Sequence, residues 1–217
     1  MFEQSIPFTF LGFHLMARFV ENLQISYLHA VESQQRSVCF VNSNLSTPHK
    51  TLILDLDETL VHSSFYRPQT YDFSVKFCFQ CKPFEIFVQK RPGLDFFLQT
   101  LFQLFEIYIF TASLEEYSLP VIRALIPNFP ISNIRSRKDC KYFNGSFIKD
   151  LSIFNRDLSQ ILIVDNSTTS YCLQPQNGIA ATTWTGDALD SELNGRILPI
   201  LLRCCDVDDV RRTIANA

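Results

Sequence analysis

The stretch Thr51–Ser64, TLILDLDETLVHSS, limits the folds open to this chain more than any other. Its short apolar run reads as a buried parallel strand, and open α/β sheets hold their ligands at the carboxyl ends of such strands. Side chains alternate along a strand, so Asp55 and Asp57 lie on one side and Leu56 on the other. Two like charges at that spacing repel unless a cation or a shared proton intervenes. A hard divalent ion that prefers oxygen ligands, such as Mg²⁺, resolves the conflict. The arrangement suits phosphoryl transfer, with Asp55 attacking phosphorus to give an aspartyl-phosphate and Asp57 giving and taking protons.

Two further apolar runs, Glu106–Phe110 and Ile161–Val164, also end in polar turns and read as parallel core strands with Thr51–Leu56. Between the first and second strands Leu94, Phe97, Leu98 and Leu101 recur at helical spacing, and Leu114–Ile126 supplies the next helix, stopped by Pro127. Leu189, Leu193 and Ile197 mark a C-terminal helix. Strand–helix alternation predicts an α/β fold: a Rossmann-like parallel sheet with helices on both faces. Tyr71–Gln89 breaks the pattern, because Phe73, Val75, Phe77 and Phe79 alternate with Ser74, Lys76 and Cys78 before Phe84–Val88. It predicts a small antiparallel β insertion beside the site.

With 217 residues, 47% apolar and 19% charged, the chain can bury one substantial core. A net charge of −3 gives no global reason to expect nucleic acid or an acidic membrane as partner. Seven cysteines without framework spacing fit a reducing compartment, and Cys78-x-x-Cys81 lacks a second ligand pair at zinc-site spacing. Residues 1–49 read as an N-terminal extension. Leu11, Leu15, Phe19 and Leu23 suggest an amphipathic helix that packs on the domain or meets a membrane surface, and Val38–His49 reads as a linker. Ile6–Val20 falls short of the roughly twenty residues that span a bilayer and carries no secretory signature.

D-x-D-x-T after an apolar strand resembles the first motif of the haloacid dehalogenase superfamily of phosphotransferases. The extended DLDETLVHSS is similar to the small phosphatases of the RNA polymerase II C-terminal tail and their membrane-tethered relatives. Lys90–Pro92 (KRP), Phe110–Ser113 (FTAS), Lys149–Leu151 (KDL) and Asp165–Ser167 (DNS) follow in the family's order, so the resemblance covers about residues 50–213, and residues 50–217 form the phosphatase-like domain. It implies a Mg²⁺-dependent serine/threonine phosphatase of phosphoproteins, nuclear or cytoplasmic. The alternatives are a relative at the nuclear envelope or endoplasmic reticulum acting on a lipid-synthesis regulator, and a catalytically silent phosphoprotein-binding module.

By resemblance Asp55 is the nucleophile and Asp57 the general acid and base. Thr111 donates to a phosphoryl oxygen, and Lys149 balances the charge of Asp55 and the phosphoryl group. The Mg²⁺ set is Asp55, the main-chain carbonyl of Asp57, Asn166 directly and Asp165 indirectly. Arg137 and Tyr117 match substrate-side positions. Phe65, Phe77, Phe79, Ile86 and Leu114 match an apolar pocket that accepts a proline beside the phosphoserine, although alternating phenylalanines on a strand also build core. Trp184-Thr185-Gly186-Asp187 departs from the family's W-F-D and moves its carboxylate by one residue.

Overall fold

A computed structural model describes residues 50–217; the helix and linker expected in residues 1–49 lie outside the described residues. The three expected core strands are β1 (Lys50–Leu54), β5 (Phe105–Phe110) and β9 (Ile161–Asp165). Together with β6 (Ile134–Arg135) and β10 (Gly178–Ala180) they form a parallel sheet of order β10-β9-β1-β5-β6. β1 lies between β5 and β9, with Leu52 level with Ile107 on one side and Leu162 on the other. Neighbours on both edges and cover on both faces explain why Leu52, Ile53 and Leu54 are all fully buried and why the strand reads as a continuous apolar run.

Alternation along β1 divides the core in two. Leu52 and Leu54 join the cluster built with α1 (Leu94–Leu101), α2 (Glu115–Leu125) and α3 (Leu198–Cys204). Ile53 turns to the other face and packs with Phe110, Ile161, Ile163, Leu151 and Tyr171, where short 3-10 helices (Leu151–Phe154 and Thr168–Tyr171) supply the cover. On that face Gly178 is obligatory, since a Cβ there would lie 1.9 Å from the Tyr171 ring. The first helix matches its periodicity. α2 starts with Glu115 and Glu116 and carries Arg123 in its last turn, the charge order a helix dipole favours.

The C-terminal helix differs from expectation. Leu189 is 91% exposed, and the π-turn at Leu193–Ile197 begins four residues later. Asp187 accepts a hydrogen bond from the Leu189 amide and Asp190 from the Glu192 amide, so two carboxylate-capped turns replace the first helical turn. A final short helix, α4, covers Val210–Ala215.

The insertion is a three-stranded antiparallel sheet of β2 (Val61–Ser64), β3 (Phe73–Phe79) and β4 (Lys82–Lys90), in order β2-β4-β3. Its tight turn uses Gln80 and Cys81, both at positive φ (49° and 60°), as a two-residue hairpin loop demands. The register sets Phe77 opposite Phe84 and Val75 opposite Ile86. A second hairpin, β7 (Lys141–Phe143) and β8 (Ser146–Ile148), leads directly into Lys149. Among the described residues no helix is long and apolar enough to cross a membrane.

Candidate active site

The chain order of the sheet reverses between β1 and β9, and the crevice beyond their carboxyl ends is where such folds place a ligand. Asp55 stands there. Its amide still bonds Val164 O at 2.9 Å, so β9 holds its backbone while its carboxylate enters the crevice. Lys149 Nζ donates to Asp55 Oδ1 at 2.5 Å and to Asp165 Oδ2 at 2.6 Å, with all three side chains buried. Thr59 Oγ1 donates to Asp55 Oδ2 at 2.8 Å and accepts from the Asn166 amide at 3.1 Å. Asp165 Oδ1 accepts from the Ser167 amide at 2.7 Å.

Asp57 is half-buried and turned away from Lys149. Ser113 Oγ and Thr111 Oγ1 donate to its Oδ2 at 2.7 and 3.2 Å, and the Tyr117 hydroxyl donates to Oδ1. Ser63 lies 2.8 Å from the same Tyr117 oxygen, which ties the insertion sheet to α2. Burial, followed by the charge of Asp55, raises the pKa of Asp57, and the hydroxyl bonds counter this only in part. Burial raises Asp165 as well, with Asp55 adding to it. For Lys149 burial works towards loss of the proton, but the charges of Asp55 and Asp165 outweigh it and hold the ammonium. Tyr117 is pushed up by burial and by Asp57, so it remains a donor.

Asp55 and Asp165 thus share one enclosed ammonium, which leaves an excess of negative charge that a hard cation fits. Asn166 Nδ2 bonds Thr183 Oγ1 at 3.1 Å, which leaves Asn166 Oδ1 on the Thr59 side. Thr59 has one hydrogen, and the shorter bond to Asp55 takes it, so Asn166 Oδ1 is left over as an oxygen donor. The Asp57 carbonyl accepts no hydrogen bond among the described residues. Asp165 accepts from Lys149 and from the Ser167 amide, bonds that orient it beside Asp55. No group of three His, Cys, Asp or Glu side chains at ligand spacing occurs among the described residues, so the available donors are carboxylate, amide and main-chain oxygens.

Of the expected substrate-side residues, Arg137 and Tyr117 border the site. Arg137 lies in a 3-10 turn, its amide bonded to Ser113 O at 3.0 Å and its Nε to Ala112 O at 2.7 Å. The apolar pocket is gathered only in part. Phe65, 63% exposed, meets the Phe84 ring at 6.1 Å; Phe84 stacks on Phe77 at 5.6 Å, and Phe77 meets Tyr117 edge-on at 6.0 Å. Phe79 sits half-buried at the hairpin end. Ile86, expected to line the pocket, is 1% exposed and offers no surface; its inward place opposite Val75 puts it in the core. Leu114 lines a groove of about 650 Å³ with Leu119, Pro120 and Arg137.

Sequence reasoning assigned no role to Thr59, Ser63, Ser113, Phe84 or Arg91. Thr59, Ser63, Arg91 and Ser113 lie inside the quoted motifs, which is their signal in the sequence. Arg91, of the KRP motif, is buried and donates to both Asp190 oxygens at 2.8 Å, to Thr59 O at 3.1 Å and to Thr182 O at 3.0 Å. It fastens the Trp184 loop to the segment carrying Thr59. In that loop the shifted carboxylate of Asp187 caps Leu189, while Trp184 Nε1 bonds the Asp187 carbonyl at 2.8 Å. Gly186 permits the turn, at φ 110° and with Gln89 Oε1 3.0 Å from where a Cβ would stand.

Residues 50–211 match the model of the NLI interacting factor-like phosphatases. The chain belongs to this family. Within the NLI interacting factor-like phosphatases it is 43% identical, over 162 residues, to a probable C-terminal domain small phosphatase of Dictyostelium discoideum, covering 75% of this chain and 53% of that one. It is 39% identical over 159 residues to the human carboxy-terminal domain RNA polymerase II polypeptide A small phosphatase 1, covering 73% and 60%. The chain therefore spans about half the length of the relatives it matches. Among solved structures, the fission yeast RNA polymerase II CTD phosphatase Fcp1 bound to beryllium fluoride superimposes with a TM-score of 0.54 at 19% identity, over 77% of this chain and 54% of that one. That likeness supports the α/β fold, a central parallel sheet with helices and a small antiparallel sheet beside it.

Proposed function

We propose that this chain is a Mg²⁺-dependent protein serine/threonine phosphatase that works through an aspartyl-phosphate on Asp55. The observation that carries the reading is the pair of unlike aspartates at the end of β1. Asp55 is held by an ammonium and a threonine hydroxyl, whereas Asp57 is held by hydroxyls alone and raised in pKa. Environments that separate two carboxylates in this way assign nucleophile and acid.

An Asp55 oxygen attacks phosphorus as the bond from phosphorus to the serine or threonine oxygen breaks, and Asp57 gives its proton to that leaving oxygen. Asp57, now a carboxylate, takes a proton from water as the water oxygen attacks phosphorus. The Asp55–phosphorus bond breaks and phosphate leaves. Lys149 stays charged throughout and faces the phosphoryl oxygens from the Asp55 side. The Thr111 hydroxyl, now donating to Asp57, exchanges that acceptor for a phosphoryl oxygen. Asp55, Asn166 Oδ1 and the Asp57 carbonyl would hold Mg²⁺, with Asp165 beside them. Bound there, the ion neutralises charge on the transferring group.

The substrate is a phosphoserine or phosphothreonine on a flexible protein segment, as the names of the relatives suggest for the RNA polymerase II tail. Phe65, Phe84 and Phe77 support an apolar or proline residue beside the phosphate, since their rings form a chain ending at Tyr117 and Asp57. The test is phosphate release from phosphoserine-proline peptides with and without Mg²⁺, beside Asp55→Asn. Release that needs both the metal and Asp55 supports the proposal. Peptide binding without release by the folded wild-type protein would refute it in favour of a binding module.

A further inference from the structure

Arg137 is built to keep its guanidinium in one place. Its 3-10 turn carries a reciprocal cap, in which the buried Ser136 and Asp139 exchange side-chain and main-chain bonds. Its amide and its Nε are both tied to the Thr111–Ser113 loop that holds Asp57. The guanidinium carbon lies 4.8 Å from the centre of the Phe147 ring. Phe147 is in turn backed by Tyr142 across the β7–β8 hairpin, with ring centres 5.1 Å apart. Of the cations around the site, Lys138 pairs with Glu115, Lys141 with Asp150, and Lys149 with Asp55 and Asp165. Arg137 has no carboxylate partner among the described residues, and neither Nη atom has a hydrogen-bond partner there.

We infer that the β7–β8 hairpin is an aromatic platform on which Phe147 positions Arg137, so that both free Nη atoms engage the phosphate of the bound phosphoresidue. The ring restricts the guanidinium from one side, and the Nε bond ties it to Ala112 O. What remains is a bidentate donor pair, weakly hydrated and already ordered. The hairpin thereby couples two cations of the site. β8 carries Phe147 beside Arg137, and the residue that follows the strand, Lys149, bonds Asp55. Phe147 is a positioning residue, acting through Arg137. The inference rests on the proposed phosphatase reading but is tested by binding as well as by turnover.

The experiment measures affinity for a phosphoserine peptide and for its dephosphorylated twin by calorimetry, in full-length protein carrying Asp55→Asn. Variants are Phe147→Leu, Phe147→Trp, Arg137→Ala and Phe147→Leu with Arg137→Ala, each checked for folding by circular dichroism. Phe147→Leu is expected to weaken the phosphopeptide about fivefold, or about 1 kcal/mol, while Phe147→Trp keeps the wild-type value. In the Arg137→Ala background the leucine change is expected to cost nothing further. Losses that simply multiply, an unaffected Phe147→Leu, or equal losses with leucine and tryptophan would each overturn the platform. Failure of the wild-type protein to release phosphate would refute the phosphatase reading and leave this binding comparison able to decide on Phe147. Absence of any preference for the phosphorylated peptide would overturn the inference itself.

Discussion

Replacing Asp190 by Asn tests whether Arg91 is the bolt that joins the Trp184 loop to the catalytic segment. The Arg91 side chain is fully buried and that of Asp190 is 15% exposed, with a fork of two 2.8 Å bonds between them. Each charge-assisted bond contributes about 1.5–3 kcal/mol, and asparagine keeps one neutral acceptor while leaving the guanidinium buried without its counter-ion. The expected loss is about 3 kcal/mol at neutral pH. With a urea m-value of about 2 kcal/mol/M, the unfolding midpoint falls by about 1.5 M. The pH dependence supplies an independent check. Hydrogen bonds from Arg91 hold the Asp190 carboxyl below its ordinary range, so its contribution is full above the unfolded-state value of about 3.9 and is lost as pH falls through the lower folded value. The gap between wild type and Asp190→Asn therefore closes in acid, because asparagine does not titrate. Urea titrations at neutral pH and at about pH 3 read both effects. A neutral-pH loss below about 1 kcal/mol, or a gap that persists unchanged in acid, would refute the clamp.

Three further outcomes follow from the same geometry. Thr111→Val and Lys149→Met should each lower kcat for a phosphopeptide by about 100- to 1,000-fold in steady-state assays, the usual cost of losing one stabilising donor. Phosphopeptide turnover should fall as pH rises through the elevated Asp57 pKa, because the alkoxide leaving group needs that proton. Tyr117→Phe removes a bond that lowers the Asp57 pKa and should move this limb to higher pH, whereas an aryl phosphate with a good leaving group should show a flatter profile. Ile86→Ala should cost about 2–5 kcal/mol in urea unfolding as a core truncation, while Phe65→Ser should change stability by less than about 0.5 kcal/mol and raise the phosphopeptide KM.

The parts of this molecule that were legible in the sequence are those coded by local periodicity. β1 announced itself because a strand covered on both faces must be apolar throughout, and α1 because Leu94, Phe97, Leu98 and Leu101 share one face. The insertion followed from strict alternation between Phe73 and Phe79. Leu189 misled because its spacing from Leu193 is helical, whereas two aspartate caps decide the backbone there. Alternation also cannot tell which residues of one face end beneath a helix and which reach solvent. The family resemblance groups Ile86 with Phe65 in one pocket, although one is core and the other surface. The hydroxyls around Asp57 and the partners of Arg91 lie far from them along the chain, as with Tyr117 and Asp190, and no spacing rule joins them. Phe147 reads as an ordinary strand residue until Arg137 is seen stacked on it.

The most direct test of the central claim is to quench the enzyme during turnover of a phosphopeptide, reduce it with borohydride, and sequence the peptide spanning Thr51–Ser64 by mass spectrometry. An acyl phosphate on Asp55 is reduced to the alcohol, so the account predicts homoserine at position 55 and unchanged aspartate at position 57. Continued phosphate release with no reduced residue at position 55, or with reduction at position 57 instead, would contradict it.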